Sequence, residues 1–305
     1  MADDIQETGG AFSASDSQAD ERLASWCRRS VVLRTRWRQI AALLDATAGQ
    51  TCLEIGAGAL GPLLRRAGGE WYGADRGDAA AGRLRRLYGE RAAAIGEDGR
   101  LPFPDGRFDV VVVLDTLERW MSEAPLIEDI HRVLKPAGRL VIEVPLLKRS
   151  LLHPLRRALG FSDERLGRVR PGYTESQLYG VLKDGFDVQE VRVYSGFFAE
   201  LCEWMAHRAA ERRVQGPPAW MAEELEPREF ARLMRIYGVI FPAAWARAIL
   251  DWVLPFRGHR LALRAKRRLW IPRKTPVLRD GRSIAEATLG TRIGSASPLA
   301  DLRRP

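Results

Sequence analysis

Four acidic side chains and two glycines between Glu54 and Asp98 have the spacing of a ligand cradle. Gly56 and Gly58, with Ala57 between them, lie in the segment Leu53-Glu54-Ile55-Gly56-Ala57-Gly58-Ala59-Leu60-Gly61. A glycine has no Cβ, so backbone can approach a ligand there. About 20 residues further on, Asp75 ends a short apolar run and is followed by Arg76. A carboxylate at that place can accept hydrogen bonds from ribose hydroxyls. A third acidic pair, Glu97 and Asp98, follows the next apolar run and can accept from the amino group of an adenine. Glu54 decides between ligands. A pyrophosphate is anionic and is repelled by a carboxylate in the turn. S-adenosylmethionine (SAM) carries an ammonium and a sulfonium, and both suit it. A glycine turn alone also fits a nicotinamide-dependent oxidoreductase, and Glu54 is the residue that argues against that reading.

Methyl transfer from a sulfonium asks the protein mainly for positioning and desolvation. A general base is needed only if the acceptor must lose a proton. Asp115, Glu118 and Arg119 follow the valine-rich run Val110–Leu114, beside the expected cofactor. Asp115 is the candidate base or cofactor contact, and capping the following helix is its plain structural alternative. Arg170 and Tyr173, in Arg168-Val169-Arg170-Pro171-Gly172-Tyr173, are candidates to hold an anionic or hydroxylated substrate, with a structural loop as the alternative. His131, His153, His207 and His259 have no ligand spacing, so no metal is expected.

The elements that must position these residues alternate. Strands are expected at Cys52–Ile55, Trp71–Ala74, Ala92–Ile95, Val110–Leu114, Leu140–Val144, Val188–Tyr194 and Arg260–Lys266. Helical spacing runs over Ala24–Ala46, Leu60–Ala67, Ala79–Tyr88, Ile127–Leu134, Lys148–Leu159 and from Thr174 to about Lys183, where Thr174-Glu175-Ser176-Gln177 fits a capping box. This rhythm predicts an α/β fold, a doubly wound, Rossmann-like, seven-stranded and mostly parallel sheet. A helical, aromatic-rich insertion lies between strands six and seven.

Three segments carry a family resemblance. Leu53 to Gly58 resembles the first motif of class I SAM-dependent methyltransferases. Gly96-Glu97-Asp98-Gly99-Arg100-Leu101-Pro102-Phe103-Pro104-Asp105-Gly106-Arg107-Phe108-Asp109 is similar to the segment before the fourth strand in the type 11 group, where Glu97 is usually Asp. Arg132-Val133-Leu134-Lys135-Pro136-Ala137-Gly138 resembles that group's turn before the fifth strand, with Ala137 in place of a glycine. The resemblance covers about residues 50 to 145. It implies a seven-stranded sheet with an antiparallel last strand, and SAM as cofactor. Related ubiquinone-type O-methyltransferases have a histidine where this sequence has Arg119, so neither a histidine base nor a metal site carries over.

The chain has 305 residues, three scattered cysteines and a formal net charge of +9. Neither a disulfide framework nor a zinc site is expected. The expected organisation is a disordered N-terminus over 1–20, a SAM-binding core over 21–196, the insertion over 197–258, the last strand over 259–268 and a basic, disordered tail over 269–305. No uncharged run reaches the length of a membrane span. In the insertion, Trp245, Ile249, Trp252 and Phe256 share a helical face, and nine Lys/Arg follow between Arg257 and Arg279 without an Asp or Glu. That pairing suits peripheral contact with an anionic membrane surface through 242–279, or a lid over an apolar substrate. Nucleic acid is not expected. The sequence is therefore read as a cytoplasmic methyltransferase, with peripheral contact at the inner face of a membrane as a further expectation, acting on a small-molecule or lipid-like acceptor with oxygen as the expected acceptor atom. The alternative is a non-catalytic SAM-binding, membrane-associated regulatory protein. High Arg and Ala content points to a bacterial source.

Overall fold

A computed structural model describes residues 25–56, 60–77, 84–85, 88–148, 150–210, 228, 230–239 and 257–271. The first helical stretch is broken once. Residues 25–29 are helical, and α1 then runs over Val31–Leu44. Ser30 caps α1, its hydroxyl accepting from the Leu33 amide at 3.0 Å and donating to the Glu203 carboxylate at 2.9 Å. The break is thus fixed by a partner 173 positions away, which helical spacing alone does not reveal.

The remaining elements follow in order: β1 Thr51–Ile55, α2 Gly61–Arg66, β2 Glu70–Arg76, β3 Ala92–Ile95, β4 Phe108–Leu114, α3 Ala124–Val133, β5 Leu134–Pro145, α4 Leu152–Ala158, α5 Glu175–Leu182, β6 Phe186–Gly196, α6 Phe197–Ala210 and β7 Arg257–Arg267. The seven strands form one sheet in the order β3-β2-β1-β4-β5-β7-β6. β1 to β5 pair in parallel, and β7 lies antiparallel between β5 and β6. This is the seven-stranded α/β sheet expected from the alternation. Val110 to Leu114 are buried, as a parallel strand covered on both faces requires.

Several boundaries differ from expectation. β5 begins at Leu134 rather than Leu140, because Leu134 already pairs with Phe108 before the register shifts to Val110–Arg139. Pro136 and Gly138 therefore interrupt a strand, and α3 has ended at Val133. Ala137 holds φ 59°, the left-handed conformation that the family's usual glycine adopts freely. The capping box is present, with Thr174 accepting from Gln177 and the Gln177 side chain accepting from Thr174.

The core joins distant segments. Ile40, Leu43 and Leu44 of α1 pack with Cys52, Val110 and Val112. Leu233, Met234 and Tyr237, on the helical residues 230–239, belong to the same cluster, and the Trp26 indole donates to the Tyr237 hydroxyl at 3.2 Å. Trp204 of α6 packs on Phe161 with ring centroids 4.9 Å apart. Trp220, Trp245, Trp252 and Phe256 lie outside the described residues, as do residues 1–20 and most of the basic tail. Burial pushes the Cys27 thiol up to about 11 and the Cys52 thiol up to about 12, so both are poor nucleophiles. Among the described residues no helix is long and apolar enough to cross a membrane.

Much of the basic run is spent inside the fold. Arg264 pairs with Asp45 at 2.6 Å, Arg267 donates to the Leu134 carbonyl, and Arg268 donates to the Lys183 carbonyl. Lys266 is exposed.

Candidate functional site

The expected cofactor residues gather at the carboxyl ends of β1, β2 and β3, where open α/β sheets hold ligands. Gly56 leaves β1 at φ 93°, and its amide donates to the Ala74 carbonyl at 2.9 Å. A Cβ on Gly56 would lie 2.0 Å from Thr116 Oγ1 and 2.6 Å from the Leu114 carbonyl. The glycine thus lets the ends of β1 and β4 close on each other. Ala57 and Gly58 lie outside the described residues. Glu54, on β1, is fully buried and accepts a short hydrogen bond from the Tyr88 hydroxyl. Tyr88 reaches it across Gly73, where any Cβ would meet the ring at 2.4 Å.

Asp75 sits at the end of β2, 3% exposed, and accepts from the Arg76 amide at 2.7 Å. The Arg76 guanidinium lies 5.1 Å from the Trp120 ring and bonds the Arg119 carbonyl at 3.4 Å. Arg76 therefore bridges from β2 to the turn after β4. Past β3, Asp98 accepts from the Arg100 amide at 3.0 Å and shapes the turn, while Glu97 projects outward, its side chain 93% exposed and 4.0 Å from Arg76. The close junction of β1 with β4 at Gly56, together with a buried carboxylate at Asp75 at the end of β2, fits a nucleoside-bearing ligand such as SAM.

Asp115 follows β4 in a left-handed conformation, φ 47°. It belongs to a buried ion network rather than standing alone. Arg36 of α1 meets Asp115 Oδ2 at 2.5 Å and, through Nε, Glu143 Oε1 at 2.9 Å. Arg260 of β7 meets Asp115 Oδ1 at 3.0 Å and Glu200 of α6 at 3.0 Å. Arg168 lies 3.8 Å from Asp115 and 3.4 Å from Glu118. The Tyr194 hydroxyl donates to Glu143. Burial alone would raise the Asp115 carboxyl, but Arg260, Arg36 and Arg168 outweigh it and hold the group well below the usual carboxylate range. A carboxylate so stabilised takes up a proton poorly, so the base role considered for Asp115 does not fit its surroundings. Its position still fits a cofactor contact, one residue before the Thr116 hydroxyl that lies against Gly56. Glu118 is the opposite case. Burial pushes its carboxyl up, against the pull of Arg168, and the Asp115 charge adds to the rise.

Arg170 and Tyr173, the substrate candidates, carry structural duties. Arg170 pairs with Glu123 at 2.9 Å and donates to the Met121 carbonyl at 3.0 Å. Tyr173 is 1% exposed and donates to the Leu117 carbonyl at 3.0 Å. They anchor the 168–173 segment onto the turn after β4. The opening lies beside them. A cavity of about 260 Å³ sits at the ends of β5 and β7, and Lys148, His153, Arg156, Arg168, His259 and Arg260 face it. The residues that sequence reasoning did not single out are Arg36, Arg168, Glu143, Glu200 and Arg260. One signal was present: Glu143 interrupts the apolar run Leu140–Val144, where a strand covered on both faces should carry no charge.

Residues 53–142, β1 to the middle of β5, match the family model described as a methyltransferase domain. Demethylmenaquinone methyltransferase of Tropheryma whipplei is 34% identical over 115 residues, 35% of this chain and 46% of the relative. The chain spans about half the length of the curated relatives it matches. Among solved structures, the S-adenosylmethionine dependent methyltransferase from Mesorhizobium loti aligns with a TM-score of 0.46 at 17% identity, covering 76% of this chain and 97% of that one. Phosphoethanolamine N-methyltransferase 2 from Haemonchus contortus, in complex with S-adenosyl-L-methionine, aligns with a TM-score of 0.47 at 19% identity, covering 78% and 53%.

Proposed function

We propose that the chain is a SAM-dependent methyltransferase acting on a small-molecule or lipid-like acceptor at oxygen. The observation that carries this reading is the junction of Gly56 with Thr116, one strand away from the buried Asp75, inside a segment that matches a methyltransferase domain. The match to demethylmenaquinone methyltransferase supports transfer of a methyl group.

SAM would supply an electrophilic methyl carbon. Gly56 gives backbone access for its methionine end, Asp75 accepts from the ribose hydroxyls, and the turn at Glu97 and Asp98 flanks the adenine. Arg76 closes over this side by stacking on Trp120. Asp115, held as a carboxylate by Arg36 and Arg260, fixes the turn after β4 against Gly56. Since Asp115 does not act as a strong base, the reading favours an acidic oxygen (an enol, phenol or carboxyl) that gives up its proton readily.

Titration calorimetry of the full chain with SAM and S-adenosylhomocysteine, with NAD as control, tests the cofactor assignment. Micromolar binding of either adenosyl compound and none of NAD is expected. Failure to bind both sinks the reading. Single-turnover transfer from labelled SAM into a cell extract then separates an enzyme from the non-catalytic alternative, which predicts no labelled product.

A further inference from the structure

The cavity at the ends of β5 and β7 is lined by both cationic and apolar side chains, with the Arg156 guanidinium 5.8 Å from the Trp204 ring. Lys148, Arg156, Arg168 and Arg260 line it, and among the described residues Glu200 is the one acidic residue that does. Arg260 is answered by Asp115 and Glu200. Arg168 is not answered as fully. Its nearest carboxylate, Glu118, is 3.4 Å away, outside good hydrogen-bond geometry, and both Glu118 side-chain oxygens lack a hydrogen-bond partner among the described residues.

Arg156 supplies a second, independent observation. It is 4% exposed, and its Nη2 is used on Asp163 at 2.5 Å and His153 at 3.0 Å. Its Nη1 is buried with no hydrogen-bond partner among the described residues. A buried guanidinium N–H without an acceptor is costly, and a ligand oxygen would remove that cost. Leu146, Leu147, Leu152, Pro154 and Trp204 supply the apolar lining.

Ion pairs link the wall of the cavity to the proposed cofactor site. Arg168 and Arg260 line the cavity and also contact Asp115, and Thr116, the next residue, lies against Gly56. We propose that this cavity binds the oxyanion head group, a carboxylate or phosphate, of an amphiphilic methyl acceptor, with Arg156, Arg168 and Lys148 on the head group and Trp204 with the leucines on its apolar body. The proposal rests on the methyltransferase reading for the word acceptor, but the binding it describes does not depend on SAM. An Arg-lined pocket suits both anions because guanidinium N–H groups match their paired oxygens.

The test is calorimetric titration of the ligand-free full chain with octanoate, octyl phosphate, octanol and inorganic phosphate. S-adenosylhomocysteine is titrated in a separate run. Octanoate or octyl phosphate should bind at least about tenfold more tightly than octanol, reflecting charge-assisted hydrogen bonds. Arg156→Gln and Lys148→Gln should each weaken the anionic amphiphile about tenfold and leave octanol unchanged. Lys148 sits at the edge of the cavity, so its variant keeps the test valid if Arg156→Gln fails to fold. Octanol binding as tightly as octanoate and octyl phosphate, no binding of any amphiphile, or Lys148→Gln leaving anion affinity intact would each overturn the proposal. Inorganic phosphate binding as tightly as octyl phosphate would overturn its amphiphile part. Anion binding without S-adenosylhomocysteine binding would keep the pocket and sink the methyltransferase reading. The reverse outcome would do the opposite.

Discussion

Replacing Arg36 with methionine removes one cation from a buried network and keeps most of its packing volume. Arg36 is 6% exposed and contacts Glu143 and Asp115, of which Glu143 is fully buried. Removing one partner of a buried ion pair strands the other, at about 3–5 kcal/mol. At about 2 °C per kcal/mol for a chain of this size, Tm should fall by about 6–10 °C. Arg260 still holds Asp115 at 3.0 Å but reaches Glu143 only at 3.5 Å, so Glu143 bears the larger share of the loss. Urea unfolding of the full chain reads the change directly. The pH dependence has a definite sign. In the parent protein Asp115 is depressed, so its contribution is present above the ordinary carboxylate value and is lost only as pH falls below it. In the variant a stranded carboxylate is raised instead, so the gap between variant and parent should shrink from pH 7 to pH 5. Adding Glu143→Gln to Arg36→Met keeps an acceptor for the Tyr194 hydroxyl without the charge, and should recover part of the loss. A deficit under about 1 kcal/mol, or one that is flat with pH, would refute the view that this network is dry and interdependent.

Three further outcomes follow from the geometry. Gly56→Ala forces a Cβ to within 2.0 Å of Thr116 Oγ1 at φ 93°, so calorimetry should show SAM affinity falling more than tenfold and unfolding should show a loss of about 2 kcal/mol. Unchanged SAM affinity would mean that the end of β1 does not meet the cofactor. Asp75→Ala should weaken SAM by about 1–3 kcal/mol, roughly five- to 150-fold, by leaving ribose hydroxyls unpaired; an unaltered Kd would remove the ribose assignment. Ala137→Gly relieves a left-handed alanine at φ 59° and should stabilise the chain by about 1 kcal/mol in chemical denaturation.

Local patterns predicted what local forces decide. The valine run of β4 and the Thr174 box were legible because burial on both faces and a side-chain cap leave their mark within a few residues. β7 was legible for the same reason, its Leu261, Leu263 and Ala265 on one side and Arg260, Arg264 and Lys266 on the other. The break at Ser30 was not, because its partner Glu203 is remote. Nor was the ion network, whose links from Arg36 and Arg260 to Asp115 span 79 and 145 residues: Arg36 reads as the solvent face of an amphipathic helix, and Arg260 as one more member of a basic run. The glycine turn located the cofactor residues, while the acceptor cavity depends on tertiary packing. Arg170 and Tyr173 looked like substrate ligands because polar residues in a loop over the opening carry no local sign that carbonyls will occupy them.

The strand between β5 and β6 is the last of the seven to leave the ribosome. Before it arrives, β5 and β6 each show an unpaired edge, the kind of surface that recruits strands from other chains. Asp115, Glu143 and Glu200 also wait for Arg260 to reach them. Translation stopped short of residue 257 therefore leaves the glycine turn in place beside an unbalanced cluster of carboxylates. Site assembly is thereby coupled to synthesis of this last strand, and fragments that keep the motif without it are expected to aggregate rather than to compete for cofactor.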